Sequence, residues 1–309
     1  MSNHVVATVL NQAAFKEILA MTLWRQLALN IYRRATLPYR TRHTRQLCQS
    51  GHAPISVVVF HRIADDDVND WSTPTAAFID SIHWLQDNFE LISLAEAQRR
   101  MAMNANHRAA VCITFDDGYE VNCERALPML IEQHIPCTYF VTAQPVFEGR
   151  HFAHDRGARG NTQPNTIDEL RHLARAGIEI GAHSRTHSDL GQITDANMLK
   201  DEIVGARDDL QSAIGTRIRY FAFPFGRHKN LNAAAFHIAR SAGFDGVLSA
   251  YGGFNFPGDD PFHIQRRGVD GPSVRAKNWV VIDPVRNRRI LRFDYGRSSA
   301  IGRPRTVGA

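Results

Sequence analysis

Two adjacent carboxylates, Asp116 and Asp117, follow the apolar run at residues 111–115 and precede Gly118 and Tyr119. Side chains of a strand alternate between faces, so a paired Asp at a strand's end can aim one carboxylate at a metal ion and keep the other for proton transfer. His183 and His187, with three residues between them, follow a second strand-like run at residues 179–182. One Asp and two His form a three-donor set that leaves positions on a divalent cation open for water and substrate. With the second Asp as base, these residues describe a metal-dependent hydrolase. Taken singly they also admit plainer roles: the aspartates as caps of a following helix, the histidines as ordinary loop or core residues.

The elements that must position them alternate regularly. Strand patterns fall at residues 56–60, 91–93, 110–115, 137–142, 179–182, 219–223, 246–249 and 263–269. Helical spacing predicts helices at 75–89, 94–103, 121–134, 166–176, from a cap at Asp195 to about 214, and at 232–242. Residues 144–164, rich in Gly, Pro, His and Arg, read as a long loop. Strict alternation implies a parallel sheet, and seven or eight units favour a barrel. In such a barrel the chemistry sits where strands end. Asp116, Asp117, His183, His187, the turn Pro224–Phe225–Gly226 and His61 all follow a strand pattern directly.

Charge divides the chain into three. Residues 1–50 carry seven Lys or Arg against one acid, residues 51–270 carry 20 against 28, and residues 271–309 carry nine against two. The overall +5 therefore hides an acidic body between basic ends. The expected organisation is a basic, partly helical extension (1–54), a catalytic barrel (55–270) and a basic tail (271–309). Such ends are solvated tails or, alternatively, contacts for an anionic membrane surface. No nucleic acid partner is expected, since no motif supports one. The stretch from Phe15 to Tyr32 repeats apolar residues at helical spacing, which suits an interfacial helix or one covering the barrel's bottom. No run approaches the roughly 20 apolar residues of a membrane span, and no cleavable signal peptide is recognised. Four scattered cysteines without a CxxC pair suggest a reducing compartment. A cytoplasmic, membrane-associable protein is the expectation.

The ordered motifs, TFDDGY at 114–119, HSRTH at 183–187 and FAFPFG at 221–226, with the opening VVFHRI at 58–63, resemble those of the polysaccharide deacetylases, the NodB-homology carbohydrate esterases, in their exopolysaccharide-type branch. The resemblance spans about residues 55–270. It implies an α/β fold, a distorted (β/α)7 barrel of the NodB-homology type. It also implies a divalent metal, usually zinc, and removal of acetyl groups from amino sugars in a polysaccharide, oligosaccharide or lipid-linked glycan. By position, Asp116 is then the expected general base, and Asp117, His183 and His187 the metal ligands. Tyr119 is expected to offer a backbone N–H to the oxyanion, and Phe223, Pro224 and Phe225 to wall the sugar groove. Two histidines compete for the general acid, His61 (favoured) and His263. Many relatives carry an arginine that orients the base where this chain has Ala222, so Arg266 or Arg267 would have to supply it. Trp71 and Asp70 are candidates for sugar contact, whereas His151 and His154 read as solvated loop residues. Alternatives are a deformylase or other C–N hydrolase on the same barrel, or an inactive carbohydrate-binding relative.

Overall fold

The computed structural model describes residues 2–296 apart from 67–68, 156–159, 288–289 and 291, with side chains from residue 24 onward. The end of the basic tail, residues 297–309, and the side chains at residues 15–23 of the amphipathic stretch lie outside the described residues.

The barrel strands are β1 (Ile55–Phe60), β2 (Ala110–Phe115), β3 (Cys137–Val141), β4 (Glu179–Ala182), β5 (Tyr220–Ala222), β6 (Gly246–Ser249), β7 (His263–Gln265) and β8 (Arg267–Gly268). Nearly every strand residue before β8 is buried, because the sheet has side chains packed on both faces, and that is why the strands read as near-continuous Val, Ile and Phe runs. All pairings in this sheet are parallel, in the spatial order β7-β6-β5-β4-β3-β2-β1-β8. β7 and β8 are two halves of one strand that changes partner. The amide of Arg266 donates to Ser249 O on β6, and three residues later that of Val269 donates to Val59 O on β1. The sheet thus closes on itself with seven strand positions, the distorted (β/α)7 barrel. The single strand expected at 263–269 is broken at Arg266 because the chain must cross from one neighbour to the other.

Alternation decides what faces the axis. Ile55, Val57, Ala110, Cys112, Tyr220, Ala222, Leu248 and Ile264 form one apolar cluster inside the ring. Val58, Phe60, Val111, Ile113, Phe115, Tyr139 and Ile180 belong to the larger core between sheet and helices. Thr114 and Asp116 share the inner parity of Ala110 and Cys112, and His61 that of Ile55 and Val57.

Three expected elements differ in detail. The helix predicted at 121–134 is a short 3-10 turn, Glu120–Cys123, followed by Ala126–Glu132. The loop predicted at 144–164 begins with a helix, Ala143–Glu148, ended by Gly149 in the left-handed region. The helix capped by Asp195 contains a π-helical stretch, Asp201–Gly205, before continuing to Ile214.

The ends pack on the barrel. A 48-residue helix, α1 (Ser2–Gln49), precedes the first strand. The segment expected as a solvated tail instead continues the fold as the helix Ser273–Trp279, and Tyr295 stacks on Phe236 with ring centroids 4.3 Å apart. Buried aromatic contact, absent from a charge count, holds it there.

Candidate active site

Asp116 directly follows β2, with its carboxylate inside the barrel mouth. Arg266, fully buried, forks onto it: Nη1 donates to Oδ1 at 2.6 Å and Nη2 to Oδ2 at 2.8 Å. The same guanidinium donates to Thr114 Oγ1 and lies over the Phe140 ring, so its plane is fixed. Burial alone would raise the Asp116 pKa, but Arg266 and, next, His183 outweigh it and hold the carboxyl below its ordinary range. Asp116 is therefore an anion with one defined orientation. Arg267 has the opposite parity and points away, over the Trp279 and Phe254 rings with Gly252 O as acceptor. It does not reach the base.

Asp117 leaves the strand with φ +73, a left-handed conformation that non-glycine residues rarely adopt. Gly118 follows at φ +99, where an added Cβ would stand 3.2 Å from Val141 Cγ1. Ser184, His187 and Phe225 also have positive φ. Four of the five such non-glycine residues among those described thus surround one mouth, as expected where local strain serves a site.

One oxygen, two imidazoles and one orphaned contact define the centre. Single donor atoms of Asp117, His183 and His187 all lie within 4.8 Å of one another. Asp117 Oδ1 is 3.5 Å from His183 Nε2 and 3.3 Å from His187 Nε2, and it is buried without a hydrogen-bond partner. His183 donates Nδ1–H to Ala222 O at 3.0 Å, which turns the Nε2 lone pair toward Asp117. Burial pulls the His183 pKa down to about 4, against the opposing pull of Asp116, so the ring is neutral at ordinary pH. Two imidazoles, that of His183 neutral, and a carboxylate whose buried oxygen lacks a partner fit a divalent cation. Asp116 stands outside the trio, 3.8 Å from His183 Nε2.

The turn that carries the histidines is tied down by Glu202, from the π-helical stretch. Its carboxylate accepts the amides of Arg185 and Thr186, each at 3.0 Å, and the Thr186 hydroxyl at 2.5 Å. A π-bulge beside a site is a recurrent functional device. Nothing in the local sequence marks Glu202 for this.

His61 and His263 are separated by parity. His61, on the inner face, meets Asp270: Nδ1 lies 2.7 Å from Oδ2 and the His61 amide donates to Oδ1 at 3.0 Å. Burial would lower the His61 pKa, yet the Asp270 charge and hydrogen bond, followed by Asp117 and Asp116, raise it to about 10. His263 lies on the opposite face, outside the ring, where it bonds Ser249 Oγ at 2.9 Å and packs against Phe236 and Tyr251. It is a packing residue of the outer layer.

Of the four residues expected to touch substrate, only Phe225 is exposed, at 53%, with its ring 5.0 Å from that of His187. Tyr119, Phe223 and Pro224 are buried, so their side chains support the site from beneath. The Tyr119 hydroxyl donates to Asp155 Oδ2 at 2.7 Å. Trp71 Nε1 donates to Asp155 Oδ1 at 3.0 Å, which joins the loop after β1 to the loop after β3, while Asp70 is exposed.

His154 corrects the reading of a solvated loop residue. Its Nε2 lies 3.0 Å from the Tyr119 hydroxyl and 3.5 Å from Asp117 Oδ2, and its ring centroid is 4.7 Å from that of His187. Because Tyr119 gives its proton to Asp155, Nε2 of His154 is the donor in that contact. It therefore faces Asp117 through the carboxylate oxygen that the trio does not use. His151, by contrast, bonds Thr162 and Gln163 away from these groups. Removing an outer-shell partner of this kind weakens metal binding about 10- to 100-fold in general. His154→Ala is expected to lose affinity for a divalent cation in that range, measured by competition with a chromophoric chelator. Unchanged affinity would show that His154 does not hold Asp117.

Comparison with known proteins agrees with the barrel fold. The sequence pattern of the family described as "Polysaccharide deacetylase" matches residues 104–247. The candidate polysaccharide deacetylase YxkH of Bacillus subtilis is 22% identical over 178 residues, covering 57% of this chain and 58% of that protein. The chain thus spans less than two thirds of that relative's length. Among solved structures, IcaB from Ammonifex degensii superposes with a TM-score of 0.62 at 21% identity, covering 74% of this chain and 97% of that one. The Streptococcus pyogenes deacetylase PplD, in complex with acetate, gives 0.61 at 16% identity, covering 75% and 100%. At these identities the superpositions speak for the fold.

Proposed function

We propose that this chain, which resembles the polysaccharide deacetylases over residues 104–247, is a hydrolase of carbon–nitrogen bonds other than peptide bonds that removes the N-acetyl group of an amino sugar in a glycan with the help of zinc. The observation that carries the reading is the pairing of two unlike carboxylates at one strand end. Asp117 belongs to the three-donor cluster, and Asp116 is held apart by Arg266.

Asp117, His183 and His187 would hold the cation. Bound there, it would supply Lewis-acid polarisation and a water of lowered pKa. The chain's own groups do the rest. Asp116, ionised and fixed by Arg266, accepts a proton from the attacking water. His61, held protonated by Asp270, donates a proton to the departing amine. Phe225 offers an exposed apolar face beside the mouth for a sugar ring.

Acetate release from a panel of N-acetylated oligosaccharides, with and without chelator, tests the reading. Release that stops on chelation and returns with zinc is expected. Binding of the glycans with no acetate released would favour a carbohydrate-binding relative, and release of formate alone from N-formyl sugars would favour a deformylase.

A further inference from the structure

Helix α1 presents two unlike faces. On the inner face Leu29 O accepts from Asn278 Nδ2 at 3.0 Å, and the Tyr32 hydroxyl donates to Asp283. Arg33 lies 5.3 Å from the Trp84 ring centroid, and Leu37 packs on the main core. Arg40, buried, donates to Asn278 Oδ1 at 3.2 Å and to the carbonyls of Asn278 and Val281. These contacts fix the helix on the barrel, so its opposite face has a defined direction.

That outer face is apolar at one end and basic at the other. Trp24, Leu27 and Ile31 are 69%, 47% and 59% exposed, and their spacing of three and four residues sets them in one stripe. Arg34, Tyr39, Arg42 and Arg45 continue the exposed side toward the barrel, with Arg25 beside Trp24. The sequence has no Asp or Glu between Glu17 and Asp65. No helix among the described residues is long and apolar enough to cross a membrane.

We propose that this face of α1 docks the protein on an anionic lipid bilayer. Trp24, Leu27 and Ile31 enter the boundary between headgroups and acyl chains, and the arginines meet lipid phosphates. The chemistry matches an interfacial helix, in which an apolar stripe and cationic side chains act together. A second copy of the chain is a poorer occupant, because the same face would set arginines against arginines with no carboxylate to pair them. The proposal goes beyond the deacetylase reading and does not depend on it.

The test is co-sedimentation of the full chain with vesicles. Binding is expected to phosphatidylcholine vesicles containing about 30% phosphatidylglycerol, and to fall several-fold when salt rises from about 0.1 to about 0.5 M. The triple variant Trp24→Ser, Leu27→Ser, Ile31→Ser is expected to lower the partition coefficient by at least about tenfold. Its circular dichroism and its hydrolysis of any soluble substrate should be unchanged, since these side chains touch neither core nor site. Failure to bind, or equal binding to pure phosphatidylcholine, would overturn the proposal. So would a dimer in sedimentation equilibrium that the triple variant abolishes while vesicles bind neither form.

Discussion

With Asp116 as the proposed general base, Asp116→Asn is expected to lower kcat by roughly 10²- to 10⁴-fold while leaving the bound divalent metal unchanged, because general-base catalysis is worth about that much. The asymmetry follows from the geometry. Asp116 lies outside the three-donor cluster, so replacing it removes a proton acceptor and leaves Asp117, His183 and His187 in place. The same change also strips Arg266 of its counter-charge in a fully buried position, where an unpaired ion typically costs about 3–5 kcal/mol. Activity alone therefore does not separate catalysis from unfolding. The double variant Asp116→Asn, Arg266→Met does so, since an apolar side chain of similar length needs no partner. It should regain much of the thermal stability and none of the activity. If the single variant kept near-native kcat, Asp116 would not be the base. If it lost the metal as well, Asp116 would belong to the metal site.

The site is unevenly legible in the sequence. Asp116 and Asp117 are neighbours, and His183 and His187 share one turn, so the strand-end rule places both pairs at the same mouth. Side-chain alternation also separates His61 from His263, and Arg266 from Arg267, once the inner parity of each strand is assigned. Ile264 is apolar and fully buried inside the ring, which sets Arg266 inward and His263 and Arg267 outward. Asp270, Glu202 and His154 carry no such signal. Asp270 meets His61 only because the last strand changes partner at Arg266 and ends beside β1. Glu202 works through a π-helical stretch that helical periodicity does not reveal. His154 faces Asp117 directly, in a place set by Trp71, Asp155 and Tyr119, which separate loops contribute. Contacts between loops distant in sequence are set by tertiary packing rather than local pattern.

Asp270→Asn should move the basic limb of the kcat/KM profile toward lower pH by at least about one unit, the limb being the readout of an essential acid in the free enzyme. The sign follows from the balance at His61. Burial favours the neutral ring, and the carboxylates, Asp270 first, outweigh it to raise the pKa to about 10. A cation held by Asp117 would offset part of the remaining negative charge, which leaves the contact with Asp270, at 2.7 Å, as the principal support of the protonated ring. Without that carboxylate, burial prevails and the acid is lost at lower pH. Stability carries the same signature. A group whose folded pKa is raised contributes its full stabilisation below its unfolded pKa, near 6.5, and loses it as pH climbs through about 10. Wild-type thermal stability should therefore decline across that window, and the decline should be shallower in Asp270→Asn. His61→Ala should abolish the limb. A profile unmoved by Asp270→Asn would mean that His61 does not supply the proton. A limb that moved alkaline would mean that Asp270 restrains the acid instead of sustaining it.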